Sequence, residues 1–205
     1  MDARSEVQWI VVILVVVVGA SFPVFAGPVH IYGGDFNLPI PALDDPKSEY
    51  GQGWMDDAII EIPGHFTIHD LDVRINITHT NVFDLQIFLQ SSADTRICLN
   101  MYDFREFFEG ENYTQTIFDD EAETAIEQAE PPFTGRFRPI ESYKLSKFDG
   151  EDAYGSWRLQ ICDMWDWDTG TLNSFELIIT TPEPATAVLL ILGASLVTLF
   201  KPRRT

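Results

Sequence analysis

The sequence predicts an all-β fold, an antiparallel β-sandwich of jelly-roll type, with an apolar segment near either end of the chain. Three observations carry this. Short stretches alternate apolar and polar residues with period two, the spacing of a strand that buries one face. Turn residues punctuate those stretches. No long stretch shows the period of an amphipathic helix, and several short alternating strands of this kind point to a sandwich.

The alternation is clearest where Leu71, Val73, Ile75 and Ile77 interleave with Asp72, Arg74, Asn76 and Thr78. Leu85, Ile87 and Leu89 repeat it after a turn over 80–84. Trp157, Leu159 and Ile161 alternate with Arg158, Gln160 and Cys162, and Phe175, Leu177 and Ile179 with Ser174, Glu176 and Ile178. Gly150, Gly155 and Asp168-Thr169-Gly170 mark turns. The stretch between Asn100 and Arg138 is expected as a long loop in which 121–129 makes about two helical turns. Residues 63–69 read as strand, which would set His65 and His69 about 13 Å apart on one face, too far for a two-histidine metal pair.

The two ends read as addresses. Residues 9–25 are almost wholly apolar, Arg4 precedes them, and Val24-Phe25-Ala26 before Gly27 offers a small-residue cleavage site. Residues 1–26 are therefore expected as a signal peptide and 27–35 as a short mature segment ahead of the domain. A second apolar run over 185–200 is followed by Lys201, Arg203 and Arg204. As a helix it rises about 24 Å, enough to span a locally thinned bilayer with the basic end on the cytoplasmic side. Pro182 and Pro184 keep that helix from running back into the domain.

The chain carries 13 basic and 32 acidic residues, a formal net charge of −19. Nucleic acid is excluded as a partner, because phosphate binding needs cationic surface. Divalent cations or a basic partner are favoured instead. Export would permit a disulfide between the two cysteines, Cys98 and Cys162, but the sequence leaves open whether they meet.

The tail Pro182-Glu183-Pro184, apolar helix and basic end resembles the PEP-CTERM sorting signal of bacterial exported proteins. That resemblance implies a stay in the inner membrane, cutting near the motif by an exosortase-type enzyme, and delivery to the cell surface or extracellular matrix, commonly alongside exopolysaccharide. The middle of the chain, 36–180, resembles the P domain (Homo B domain) of proprotein convertases. Landmarks in one order carry this: Asp84-Leu85-Gln86-Ile87-Phe88-Leu89, Thr95-Arg96-Ile97-Cys98-Leu99, Phe118-Asp119-Asp120, 132–139, Leu145-Ser146-Lys147-Phe148-Asp149-Gly150, Gly155-Ser156-Trp157-Arg158-Leu159, and Gly170-Thr171-Leu172 with Phe175-Glu176-Leu177. The family fold is a β jelly roll. Its members usually follow a subtilisin-like protease domain and stabilise it; here the chain is expected to lack that domain, so proteolytic activity does not carry over.

The residues give no positive sign of an enzyme. His79 ends an alternating strand, where a structural role is expected, and no serine lies in a nucleophile-elbow context. Asp84, Asp119, Asp120 and Asp163 fall at landmark loops and are the candidate calcium ligands, since calcium takes six to eight oxygens and some family members bind it. The alternative is that these carboxylates cap turns. Asp163, Asp166, Asp168 and Gly170 do not have the spacing of an EF-hand. Trp165 and Trp167 alternate with those acids and form either an exposed platform for a sugar or peptide, or lids on the core. The expected function is a non-catalytic module binding a surface protein or exopolysaccharide, or an accessory domain acting on a separate subtilisin-like protease.

Overall fold

A computed structural model describes residues 27–43, 53–101, 109–140 and 142–183. The expected signal peptide, Pro184, the apolar run over 185–200 and the basic end lie outside the described residues. Among the described residues no helix is long and apolar enough to cross a membrane.

Two sheets face each other. In the first, β1 (Val29–Ile40), β9 (Gly170–Thr180), β3 (Asp70–His79), β6 (Tyr113–Phe118) and β7 (Phe133–Phe137) lie side by side in that order. In the second the order is β2 (Ala58–Ile62), β8 (Gly155–Asp163), β4 (Leu85–Gln90) and β5 (Arg96–Asn100). Three short 3₁₀ turns, Val82–Asp84, Ile126–Gln128 and Leu145–Phe148, complete the regular structure of the described residues. The result is a β-sandwich.

The period-two sets found in the sequence are the inward faces. Leu71, Val73, Ile75, Ile77, Leu85, Ile87, Leu89, Trp157, Leu159, Ile161, Phe175, Leu177 and Ile179 are all buried in one core. Phe148 lies against Trp157 with ring centroids 5.1 Å apart, and the indole Nε1 donates to the Ala153 carbonyl at 2.9 Å. Burying each such side chain contributes about 1.5–3 kcal/mol, which is why the sandwich holds without a covalent staple.

Four expectations are corrected. Residues 29–35, expected ahead of the domain, are the first half of β1 and pair with β9 from Val29 onward. Residues 63–69 are an irregular connection with a single bridge at Thr67, not a strand. The loop expected between Asn100 and Arg138 contains β6 and β7, and its helix is one 3₁₀ turn at Ile126–Gln128. β6 escaped notice because Gln115 takes φ 50° and shifts the register between Thr114 and Thr116, which breaks the alternation. β7 pairs parallel to β6 while the other strand pairs are antiparallel. The residues over 119–132 supply the long crossover that parallel neighbours require.

Cys98 and Cys162 do not pair: both are buried thiols. β4 runs between their strands, with Phe88 opposite Cys98 and Gln86 opposite Cys162. Two strand spacings set them roughly 10 Å apart, beyond the reach of a disulfide. Burial pushes each thiol up to about 12.

Candidate functional site

The four carboxylates expected to share one calcium site are divided between opposite ends of the sandwich. His79 marks one end of β3 and Asp72 lies near the other, seven residues and about 24 Å away. Asp163 and Asp84 belong with His79; Asp119 and Asp120 belong with Asp72.

At the first end, β8 stops at Asp163 and β4 starts at Leu85, its cross-strand partner. Asp163 and His79 have fully buried side chains, and His79 Nε2 meets Asp163 Oδ2 at 3.0 Å. The Trp165 amide donates to Asp163 Oδ1 at 2.9 Å. The other ring nitrogen of His79 lies 2.9 Å from the Asn81 carbonyl. Gly170 makes room for the ring: a β-carbon there would stand 2.3 Å from His79 Cδ2 and 2.5 Å from the Thr78 carbonyl. Asp84 is buried beside this pair, and its Oδ2 accepts no hydrogen bond. Burial, then the charges of Asp163 and Asp168, push its carboxyl up to about 7. Asp168 is fixed nearby by Thr80 Oγ1, which donates to its Oδ1 at 2.6 Å.

The second end has a cation in the middle. Arg136 Nη1 donates to Asp72 Oδ2 at 2.8 Å and to Asp119 Oδ2 at 2.5 Å. Burial pushes Asp72 up to about 6, with Arg136 pulling the other way. Burial also opposes ionisation of Asp119, but Arg136 and the Glu121 amide outweigh it and hold that carboxyl below its usual range. Asp120 caps a 3₁₀ turn: its two oxygens accept the Leu145 amide at 3.0 Å and the Ser146 amide at 2.9 Å.

Six of the eight oxygens in this set of four already accept hydrogen bonds, both on each of Asp163, Asp119 and Asp120. They do not fit a single calcium sphere, and among the described residues no three His, Cys, Asp or Glu side chains are disposed to hold a metal. Among the described residues no hydroxyl or thiol is hydrogen-bonded to the His79 ring. General-base catalysis needs a hydroxyl or thiol within hydrogen-bond reach of the histidine. The described contacts of His79 are a carboxylate and the Asn81 backbone. A second pair, His65 Nδ1 and Asp152 Oδ2 at 2.7 Å, is exposed on the surface and stacks on Tyr154.

The sequence landmarks now have physical roles: Asp120 holds the turn that drives Phe148 into the core, and Gly170 admits His79. A model of the proprotein convertase P-domain matches residues 68–179, more than half of the 205-residue chain. The chain belongs to the proprotein convertase P-domain family.

No curated protein matches the chain. Among solved structures, this P domain is similar to the serine protease of Aeromonas sobria in complex with the chaperone ORF2, at 17% identity and a TM-score of 0.45. The match covers 78% of this chain and 28% of that one. The serine protease of Aeromonas sobria is similar at 18% identity and a TM-score of 0.43, over 76% of this chain and 27% of that chain.

Trp165 and Trp167 are not lids on the core of the P domain. Trp167 is 83% exposed and Trp165 47%. Trp167 also takes φ 75°, in the left-handed region. Pro182 and Glu183 of the expected sorting motif follow β9 after one residue, Thr181. Sequence reasoning missed Arg136 and Asp72 as partners. Asp72 sits on the polar side of its strand, where alternation signals solvent and gives no hint of a guanidinium brought in by β7.

Proposed function

We propose that this P domain is a non-catalytic accessory module that binds a subtilisin-like serine endopeptidase and supports its fold. The match over 68–179 carries the reading, because such domains accompany proteases of that class. A docking surface suits it: the exposed Ile31 and Ile59 line a groove of ≈ 460 Å³ where the edge strands β1 and β2 run beside each other. Contiguous exposed apolar side chains mark contact surfaces. The strand order supports a jelly roll, β1-β9-β3-β6 facing β2-β8-β4-β5, with β7 added at one edge. In-cell crosslinking of the tagged full-length chain is expected to capture a subtilisin-like protease. Ile31→Glu with Ile59→Glu is expected to abolish that capture, and unchanged capture would overturn the placement of the interface.

The exposed Trp167 favours a second reading, a module that binds a surface protein or exopolysaccharide through Trp165 and Trp167. Crosslinking that yields matrix material and no protease, and that falls with Trp167→Ala, would select it. In either reading the apolar runs export the chain and hold it in the inner membrane, and Pro182-Glu183-Pro184 directs an exosortase-type enzyme to release it to the surface. Replacing those three residues is then expected to trap the protein in the membrane; unchanged release sinks the sorting role.

A further inference from the structure

The outer face of the four-stranded sheet holds a feature that neither reading uses. Arg158, Gln90 and Arg96 stand in one row across β8, β4 and β5, since Gln90 is the register partner of both arginines. Gln160 and Phe88 form the next row. With Trp54 and Asp57 from the segment before β2, Arg158, Gln90, Arg96 and Gln160 line an open groove of ≈ 520 Å³. That size is within the range of small-ligand sites, about 300–1,000 Å³.

The arginines here differ from those elsewhere in the fold. Arg74 is held by Glu176 at 2.6 Å, and Arg136 by two aspartates. Arg96 is positioned by its Nε, which donates to Gln160 Oε1 at 2.8 Å, and by stacking 3.8 Å over the Phe88 ring. Neither contact pairs its terminal amino groups with a protein acceptor. Arg158 has its nearest carboxylate oxygen, on Asp57, at 3.9 Å, too long for a hydrogen bond. Gln160 Nε2 donates to Asp57 at 3.3 Å, which fixes the amide. Two oriented guanidiniums on a chain of net charge −19 mark a place where an anion is locally favoured. A guanidinium fork matches a carboxylate in geometry.

The rest of the lining narrows the ligand. Gln90 and Gln160 each offer both a donor and an acceptor, and Asp57 accepts, a set matched to hydroxyl groups that do both. Trp54 adds an aromatic border suited to the apolar face of a sugar ring, with the Phe88 ring, which Arg96 covers, 6.1 Å away. Asp57 disfavours a peptide with a carboxylate at every step, while one carboxylate among many hydroxyls meets no such penalty. The lining is side chain across the face of a sheet, not the free edge that an extended peptide would pair with.

We propose that this groove binds a saccharide carrying a carboxylate, a uronate-type sugar within a hydroxyl-rich chain. The carboxylate lies between Arg96 and Arg158, and the neighbouring hydroxyls meet Gln90, Gln160 and Asp57. The site goes beyond the protease-accessory role and is tested separately from it. The full-length chain in detergent micelles is titrated calorimetrically with trigalacturonate, trimannuronate, the methyl ester of each, and tetraglutamate. At least one acid trimer is expected to bind, with its methyl ester weaker by ~10-fold or more, the loss of one charge-assisted pair. Arg158→Gln and Arg96→Gln are each expected to weaken binding at least ~5-fold, with melting temperatures near that of the parent. No binding of either acid trimer, equal binding of acid and ester, or unchanged binding in both variants overturns the proposal. Tighter binding of tetraglutamate overturns it in favour of an acidic peptide.

Discussion

The two acidic ends of the sandwich solve the same problem with different groups. Both bury carboxylates in a protein that is strongly acidic overall. At the Asp72 end a guanidinium lies between two carboxylates, and Asp119 stays ionised below its usual range. At the Asp163 end the side-chain partner is the His79 imidazole, and a further buried carboxyl, Asp84, is pushed up to about 7. One end carries a permanent cation and the other an imidazole. Each end also holds one carboxyl that burial pushes up, Asp72 to about 6 and Asp84 to about 7, so both respond to pH.

The largest effect is expected from His79→Leu. It leaves Asp163 buried without its partner and should cost about 3 kcal/mol, read as a lowered urea midpoint. A loss below ~1 kcal/mol would show that Asp163 simply takes up a proton and that the histidine contributes little. Arg136→Met removes the cation from the other end. Its guanidinium is half exposed, so the expected loss is smaller, about 1–2 kcal/mol. If the two variants fall in the reverse order, the ends are not unequal in the way described.

The legible and illegible parts of the molecule divide along the same line. Strands that bury one whole face, such as Leu71 to Ile77, announce themselves, because every second residue must be apolar. β1 did not, since it is an edge strand whose Tyr32-Gly33-Gly34-Asp35 stretch carries little apolar pattern, and its register with β9 shifts between Asp35 and Leu38. The carboxylates were found as residues but grouped wrongly. Landmark order along a chain says which loops matter, while strand direction decides which loops meet, and β3 carries Asp72 and His79 to opposite ends. The groove at Arg96 and Arg158 was hidden for a different reason: cross-strand rows depend on register, which no single strand reveals.

A smaller effect is expected from pH. A folded-state pKa raised above the unfolded one means the native protein binds more protons between the two values, so stability falls as pH rises through that window. For Asp84 the window runs from the usual carboxylate value of 3.8 to about 7, and for Asp72 to about 6. Stability should therefore increase as pH is lowered from 8 toward 5. Asp84→Asn should remove roughly 1–2 kcal/mol of that change while leaving the Asp72 contribution in place. A pH profile that is the same in Asp84→Asn and the parent would place the titration elsewhere.

The smallest effect is expected from calcium. Because the four candidate carboxylates stand at two ends, millimolar calcium should move the melting temperature by less than about 2 °C beyond the same magnesium concentration. Asp120→Asn should leave that increment unchanged, since both Asp120 oxygens serve backbone amides. A large calcium-specific rise, lost with Asp120→Asn, would mean that the ends rearrange and the comparison fails.

β9 is the last strand among the described residues, yet it lies between β1 and β3, and it pairs with both along nearly its whole length. A polypeptide delivered amino end first, from a ribosome or through a translocation channel, therefore keeps a slot open in its larger sheet until residue 180 has arrived. Until then two strand edges stand ready to pair with whatever is nearby. Folding is expected to be slow, since the topology is dominated by distant pairings. A truncation that removes β9 removes not a flap at the margin but the keystone between its neighbours.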